Sequence, residues 1–350
     1  MKILMFLSGV VFFLAQSVQA KQSLEFIVNN ETYAKNLEHT NIDEFNEGET
    51  FIGSIFKSYF RYIPIKRVTI ETGILFGVPF GDDETINPKE PIVSFHLDFK
   101  PGIRFTAGTL NRSHPLLDAI FNDDLTYTEP IEQGFQFIEK SKRLKQDTWI
   151  SWEVKETSTQ PEKFSFGNFT QLNFRGLMLD GQVYWVHHGG QMNKQDLVSN
   201  NVSLGVGAGY SIYPRKKWKK FQFIEEIGTE FHYLYNYDKP SGNNPKVNSN
   251  GILGKLFLRF KETELYYQQW RSKNNDFNAE KGDPLYQAKD YMEIGIEKKI
   301  FIGEGIFLTT AFKGQWVQGQ FVHIDHLSVL WQGEFSLFED YFEKIKKSAD

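Results

Sequence analysis

Cysteine is absent from all 350 residues, so disulfides cannot brace this chain and no cysteine can carry a lipid. Stability must come from packing, backbone pairing or a bilayer. Beyond residue 20 no stretch approaches 18 consecutive apolar residues, which excludes a spanning helix in the body of the chain. Positive charge is not in excess. Lys and Arg number 39 against 44 Asp and Glu, and a formal net charge of −5 argues against nucleic acid as a partner. A phosphate-binding Gly loop, an EF-hand pattern and a His-x-x-x-His pair are all missing, so no metal or cofactor is expected.

What is present begins with a targeting segment. Lys2 gives a positive start, Ile3 to Ala15 an apolar run, and Ser17-Val18-Gln19-Ala20 small residues for cleavage after Ala20. Export by this signal removes Lys2 and leaves a charge of −6. Aromatic residues make up 16% of the chain, with 33 Phe and 15 Tyr. Mean hydropathy is nevertheless −0.42. An apolar, aromatic-girdled outer wall around a polar lumen, with hydrophilic loops, reconciles the two facts.

The repeating unit is a segment of about 8 to 15 residues with period-2 alternation. Val202, Leu204, Val206, Ala208, Tyr210 and Ile212 alternate with Ser203, Gly205, Gly207, Gly209 and Ser211. Val93, Phe95, Leu97 and Phe99 alternate with Ser94, His96 and Asp98, and Leu327, Val329, Trp331, Phe335 and Leu337 with Ser328, Gln332 and Glu334. Sixteen such segments run from 22–29 to 322–338, including one at 219–237, with fourteen to eighteen strands compatible with the pattern. Short connections such as Lys100-Pro101, Arg175-Gly176, 214–218 and Lys261-Glu262 alternate with long ones, notably 30–50, 78–89, 110–132 and 273–287. Short turns at one end and longer loops at the other, with an even strand number, describe a single-chain barrel with both termini on the periplasmic side.

On these residues the chain resembles Gram-negative outer-membrane β-barrel proteins of the porin type, over 22–338. The resemblance implies an all-β, transmembrane, antiparallel up-and-down barrel, divided into signal 1–20, barrel 21–342 and charged tail 343–350. It implies residence in the bacterial outer membrane, and as partners the outer-membrane lipid, the barrel-assembly machinery, small hydrophilic solutes and a homotrimer. Such barrels commonly end on an aromatic, here matched by Phe338 or Phe342, although Lys344, Lys346 and Lys347 follow.

The lumen face is the first candidate site. Its bases are Arg61, Arg104, Lys255, Arg259 and Lys313, and its acids Glu71, Asp98, Glu153, Asp180, Glu226, Glu230, Glu293 and Glu334. In a wet pore these would set ion selectivity; in a closed barrel they would fill the interior as salt bridges. The loop 110–132 is the second. Pro115, Leu116, Leu117, Ile120 and Phe121 suit a short helix, which could cap the barrel from outside or enter it as a constriction with Asp118, Asp123 and Asp124 facing the channel. His187 and His188 point to opposite faces of a strand and cannot share one ion. Tyr59, Tyr62, Trp152, Trp185, Trp218, Tyr233, Tyr235 and Trp316 read as a girdle at headgroup level, and Tyr266 and Trp270 as inward rings able to stack sugars. These features lead to a non-enzymatic channel for passive diffusion of small hydrophilic solutes. The alternative is a closed structural or binding barrel, an adhesin or receptor, acting through its loops.

Overall fold

Each alternating segment pairs with the next in sequence, because a two-residue connection can only return the chain antiparallel to itself. The computed structural model describes residues 22–39, 48–81, 90–190, 198–214, 223–242, 244–273 and 276–339. The expected signal, Trp218, Phe342 and the charged tail lie outside the described residues.

Sixteen strands result: β1 (Ser23–His39), β2 (Glu49–Ile65), β3 (Val68–Pro79), β4 (Glu90–Lys100), β5 (Ile103–Thr109), β6 (Gln133–Lys140), β7 (Leu144–Val154) and β8 (Lys163–Phe174), then β9 (Leu177–His188), β10 (Ser199–Ile212), β11 (Glu226–Lys239), β12 (Val247–Phe260), β13 (Thr263–Ser272), β14 (Asp290–Gly303), β15 (Ile306–Val317) and β16 (Gln320–Glu339). Every strand pairs antiparallel with its sequence neighbours, and β1 pairs with β16 from Ser23↔Glu339 to His39↔Val322. The sheet is therefore closed, and no strand is left with an unpaired edge.

Several hairpins use left-handed backbone at both turn residues: Arg175 and Gly176 have φ of 50° and 92°, Lys261 and Glu262 43° and 62°, Glu304 and Gly305 49° and 78°. This is the turn geometry whose twist matches paired strands, and glycine adopts it without a Cβ clash.

The two faces of the wall differ sharply in chemistry. Val206 is 61% exposed, Val93 59% and Leu256 57%, whereas inward Ser203 and Gln136 are 1% exposed. Water would penalise such an apolar exterior around the whole circumference; a bilayer is its complementary solvent.

The structure departs from the sequence reading in four places. β1 extends to His39, so ten residues assigned to the loop 30–50 are strand. β11 begins at Glu226, not 219: 223–225 are not strand, and 215–222 lie outside the described residues. Pro115 to Phe121 makes a single turn through Phe121 N→Leu117 O, and the one helix of the loop, α1, is Leu125–Thr128. Tyr59 is not a girdle residue. It is 6% exposed on the lumen side, where Arg61 reaches its hydroxyl.

Val206→Lys should destabilise the folded barrel by about 2–4 kcal/mol in bilayers, because it buries an ammonium in hydrocarbon. Thr309→Lys, on the lumen side, should cost under about 1 kcal/mol. Equal costs in a denaturant titration of vesicle-inserted protein would rule out this orientation of the wall.

Candidate functional site

The site is the barrel interior. Alternation places all thirteen selected wall charges on the inner face, and the register sets opposite charges beside one another. Arg61 opposes Glu71 and Asp98 opposes Arg104. Glu226 opposes Arg259, and Arg259 opposes Glu264. Arg61 Nε donates to Glu71 Oε1 at 2.9 Å, with Glu25 at 3.5 Å and Glu334 at 4.0 Å. Arg104 grips Asp98 through both oxygens at 2.7 and 2.9 Å. Across the lumen Arg259 bridges Glu226 and Glu264 at 2.7 and 2.6 Å, and Lys255 adds a 2.7 Å contact to Glu264. Both networks lie toward the short-turn end. Cross-strand pairs of this kind contribute only about 0–1 kcal/mol each in a wet setting, so their effect is mainly to neutralise the wall.

The other half of the lumen is occupied. The loop 110–132 folds inward and its ends are joined by Leu110 N→Glu132 O at 2.9 Å. His114 anchors it. Its ring lies flat on Trp149 at 3.5 Å, Nε2 meets Glu132 at 2.6 Å and Nδ1 meets Asp147 of β7 at 2.9 Å. The Leu117 amide donates to Gln182 of β9. Ile120 and Phe121 pack in one apolar cluster with Tyr184, Leu234 and Leu253 of the wall. At its far side the loop reaches β1 and β16: Asp124 pairs with Lys35, Tyr127 stacks on Tyr33, and the Tyr127 hydroxyl meets His326 Nε2 at 2.9 Å. The segment thus crosses the lumen from one wall to the other.

The connection between β13 and β14 completes the obstruction. Phe277 and Tyr286 pack edge-on against Trp270, whose indole donates to Ala288 O at 3.0 Å. The two loops are tied by Asn122 N→Lys281 O, Asp283 N→Asp118 O and a 2.6 Å ion pair between Lys281 and Glu129. Trp270 is fully covered by this loop, so it offers no surface for the alternative of sugar stacking.

Among the described residues, the two loops leave space on one side of the lumen. A cavity of about 670 Å³ lies between α1 and the wall of β14–β16 and β1, lined by Asp123, Asp124, Lys299, Lys313 and His326 among others. A smaller one, about 220 Å³, lies beside β2 and β3 with Lys57 and Arg112. Asp118 faces neither. Its Oδ1 accepts from the Asp123 amide within the loop. Inward Asp180 is held by His232 at 3.0 Å, and Glu153 by Lys163 at 3.0 Å. Glu293 accepts from Gln315 at 2.6 Å and from the Tyr266 hydroxyl.

The residues that hold this arrangement were only partly visible beforehand. His114, Lys35, Tyr127 and Lys281 carry it, yet none belongs to a recognisable motif. One signal was available: Trp149, Tyr184, Val186, Leu234 and Leu253 are apolar residues on the polar stripe. They mark where the loops pack.

Titration of the loops works in one direction. Burial disfavours the charged His114 ring, but the carboxylates of Asp147 and Glu132 outweigh it and raise the imidazole pKa above its ordinary value. That contribution is complete below about pH 6.5 and is lost as pH rises through the raised value. Burial likewise pushes Asp118 and Asp283 above the usual carboxylate range. Their neutral forms fit the packed loops, and ionisation at higher pH weakens them. Amide exchange in 112–128, corrected for its chemical rate, should therefore accelerate as pH rises above about 6.5. His114→Gln should exchange fast at every pH. A flat profile in the unsubstituted chain would refute the clamp.

No curated protein matches the chain. Among solved structures, OccK5 (OpdH) of Pseudomonas aeruginosa superposes with a TM-score of 0.56 at 11% identity, over 90% of this chain and 99% of that one. OpdL of Pseudomonas aeruginosa gives 0.53 at 9%, over 91% and 99%. An anion-selective porin from Comamonas acidovorans gives 0.53 at 8%, over 90% and 100%. At such identities the likeness establishes the fold, which is that of porin-type outer-membrane barrels. A family model described as lipid A 3′-O-deacylase-type matches residues 16–325, and the chain belongs to that family.

Proposed function

We propose that this protein is an outer-membrane channel through which small hydrophilic solutes diffuse passively, squeezed past two inward-folded loops along the wall of β14–β16 and β1. The observation that carries this reading is the cavity of about 670 Å³ left beside α1, which is lined by charges of both signs. Wall pairs at Arg61, Arg104 and Arg259 largely cancel, so selectivity falls to groups at the constriction: Asp123, Lys299 and Lys313. Asp118 acts through the loop's shape. No bond-making step is needed, and the solute's size and charge decide its passage.

Liposome swelling tests the reading. Vesicles carrying the folded protein should admit amino acids and monosaccharides and exclude larger oligosaccharides. Replacing 113–126 by a short Gly-Ser linker should raise the size limit and speed entry several-fold. Equal exclusion of all solutes by both proteins would contradict a channel.

Family membership favours a second reading, hydrolysis of an acyl ester on a lipid. One inner-wall array has the order such chemistry uses: Thr106 Oγ1 lies 2.9 Å from His96 Nδ1, and His96 Nε2 lies 3.4 Å from Glu71. Thr106 is buried in the lumen wall, however, away from any acyl chain in the bilayer. Mass spectrometry of lipid A incubated with the folded barrel decides between the readings. Loss of an acyl chain that Thr106→Val abolishes would establish the enzyme; an unchanged lipid leaves the channel.

A further inference from the structure

The outer wall is apolar over most of its area, and its interruption by four hydrogen-bonded polar side chains on β7 and β8, against the single outward Gln269 on β13, is the feature that calls for a partner. Outward residues of this strand pair form successive rows, fixed by the register: Leu144 with Leu172, Gln146 with Thr170, Thr148 with Asn168, Ile150 with Phe166, and Trp152 with Phe164. Phe174 lies one step below. Rows two residues apart on strands tilted by about 40° rise roughly 5 Å along the membrane normal, so six rows span about 25 Å, the height of a barrel's apolar belt. The two polar rows are the third and fourth. They face the middle of the hydrocarbon.

These four side chains bond to one another. Gln146 Nε2 and Asn168 Nδ2 both donate to Thr148 Oγ1, at 2.7 and 2.8 Å, and Thr170 donates to Gln146 Oε1 at 2.6 Å. The network does not exhaust them. Each primary amide keeps a second N–H and spare acceptor capacity on its oxygen. Acyl chains offer no partner for either. A second observation marks the same place. Gly181 opposes Thr170 on β9, and a Cβ added there would meet nothing within 4 Å. Bare backbone beside hydrogen-bonding side chains is how membrane segments come into close contact.

We infer that two copies of this chain associate in the membrane face to face through β7–β8, with Gln146, Thr148, Asn168 and Thr170 exchanging hydrogen bonds across a two-fold axis and Gly181 allowing close approach. A second copy is the occupant that the chemistry selects, since the patch carries donors and acceptors in the same rows and is complementary to itself. A smaller polar set, Asn30, Thr32 and Ser54, interrupts the wall on β1–β2. It lies six of sixteen strands away, or about 135° around the barrel, whereas the two contact faces of a three-fold ring lie about 60° apart. The two patches therefore cannot serve as the paired faces of a trimer. The inference rests on the lipid-facing reading of the wall and is independent of solute passage.

The absence of native cysteine makes the test clean. Thr148→Cys, in the full chain folded into phosphatidylcholine–phosphatidylglycerol vesicles, should oxidise to a covalent dimer and no higher species. The variant Q146L/T148V/N168L/T170V should keep the heat-modifiable gel mobility of a folded barrel while self-association falls at least tenfold by energy transfer between labelled copies. N30L/T32V/S54A should associate as the unsubstituted chain does. A monomeric unsubstituted chain, a leucine variant that still associates, or a cross-linked trimer would overturn the two-fold contact. Failure to insert into vesicles at all would show as lost heat-modifiability and would remove the lipid-facing reading along with it.

Discussion

Hydrocarbon offers no hydrogen bonds, so every backbone amide and carbonyl that enters it must find its partner within the protein. The closed ladder of this chain meets that demand, with β1 bonded to β16 as fully as to β2. The rest of the structure depends on this closure. A closed sheet has two faces and no edge, so side chains alternate between lipid and lumen. Arg61, Glu71, Arg104 and Arg259 are inexpensive only because the period of two sends them inward. Val93, Val206 and Leu256 are acceptable outside for the same reason.

Closure also creates an interior that must be filled or left wet, and this chain does both. Near the short turns the wall charges pair with each other across neighbouring strands and leave space. Near the long loops, apolar side chains that break the alternation, Trp149, Leu234 and Leu253 among them, receive the apolar turn of 110–132. His114 pins the loop to one wall, and Tyr127 and Asp124 reach the opposite one. Lys281 ties in the second loop. The result is an off-centre cavity bounded by loop packing and lined by a few charged residues around α1.

Much of this was legible in the sequence because alternation is a local signal. All sixteen strands, the inward assignment of the wall charges and the identity of the long loop follow from it. What was not legible has particular causes. The upper half of β1, from Asn30 to Glu38, is polar on its outward side as well, so alternation fades and the segment reads as loop. The sequence places the start of β11 too early because Phe221 and Phe223 extend its aromatic rhythm, whereas Phe223 to Glu225 lie outside the strand that begins at Glu226. Leu116, Leu117, Ile120 and Phe121 have helical spacing, but wall contacts hold them in one turn, and the helix forms one turn later at Leu125–Thr128. The clamp of His114 with Asp147 and Glu132 joins residues 18 and 33 positions apart, which no local pattern encodes.

On the proposed channel reading, the two loops narrow the lumen without sealing it. Current through the full-length barrel in a planar bilayer measures this directly. Small, ohmic, stepwise conductance is the expected result, well below that of a barrel of this strand number with an empty lumen. A barrel that inserts and passes no current at any voltage would contradict it.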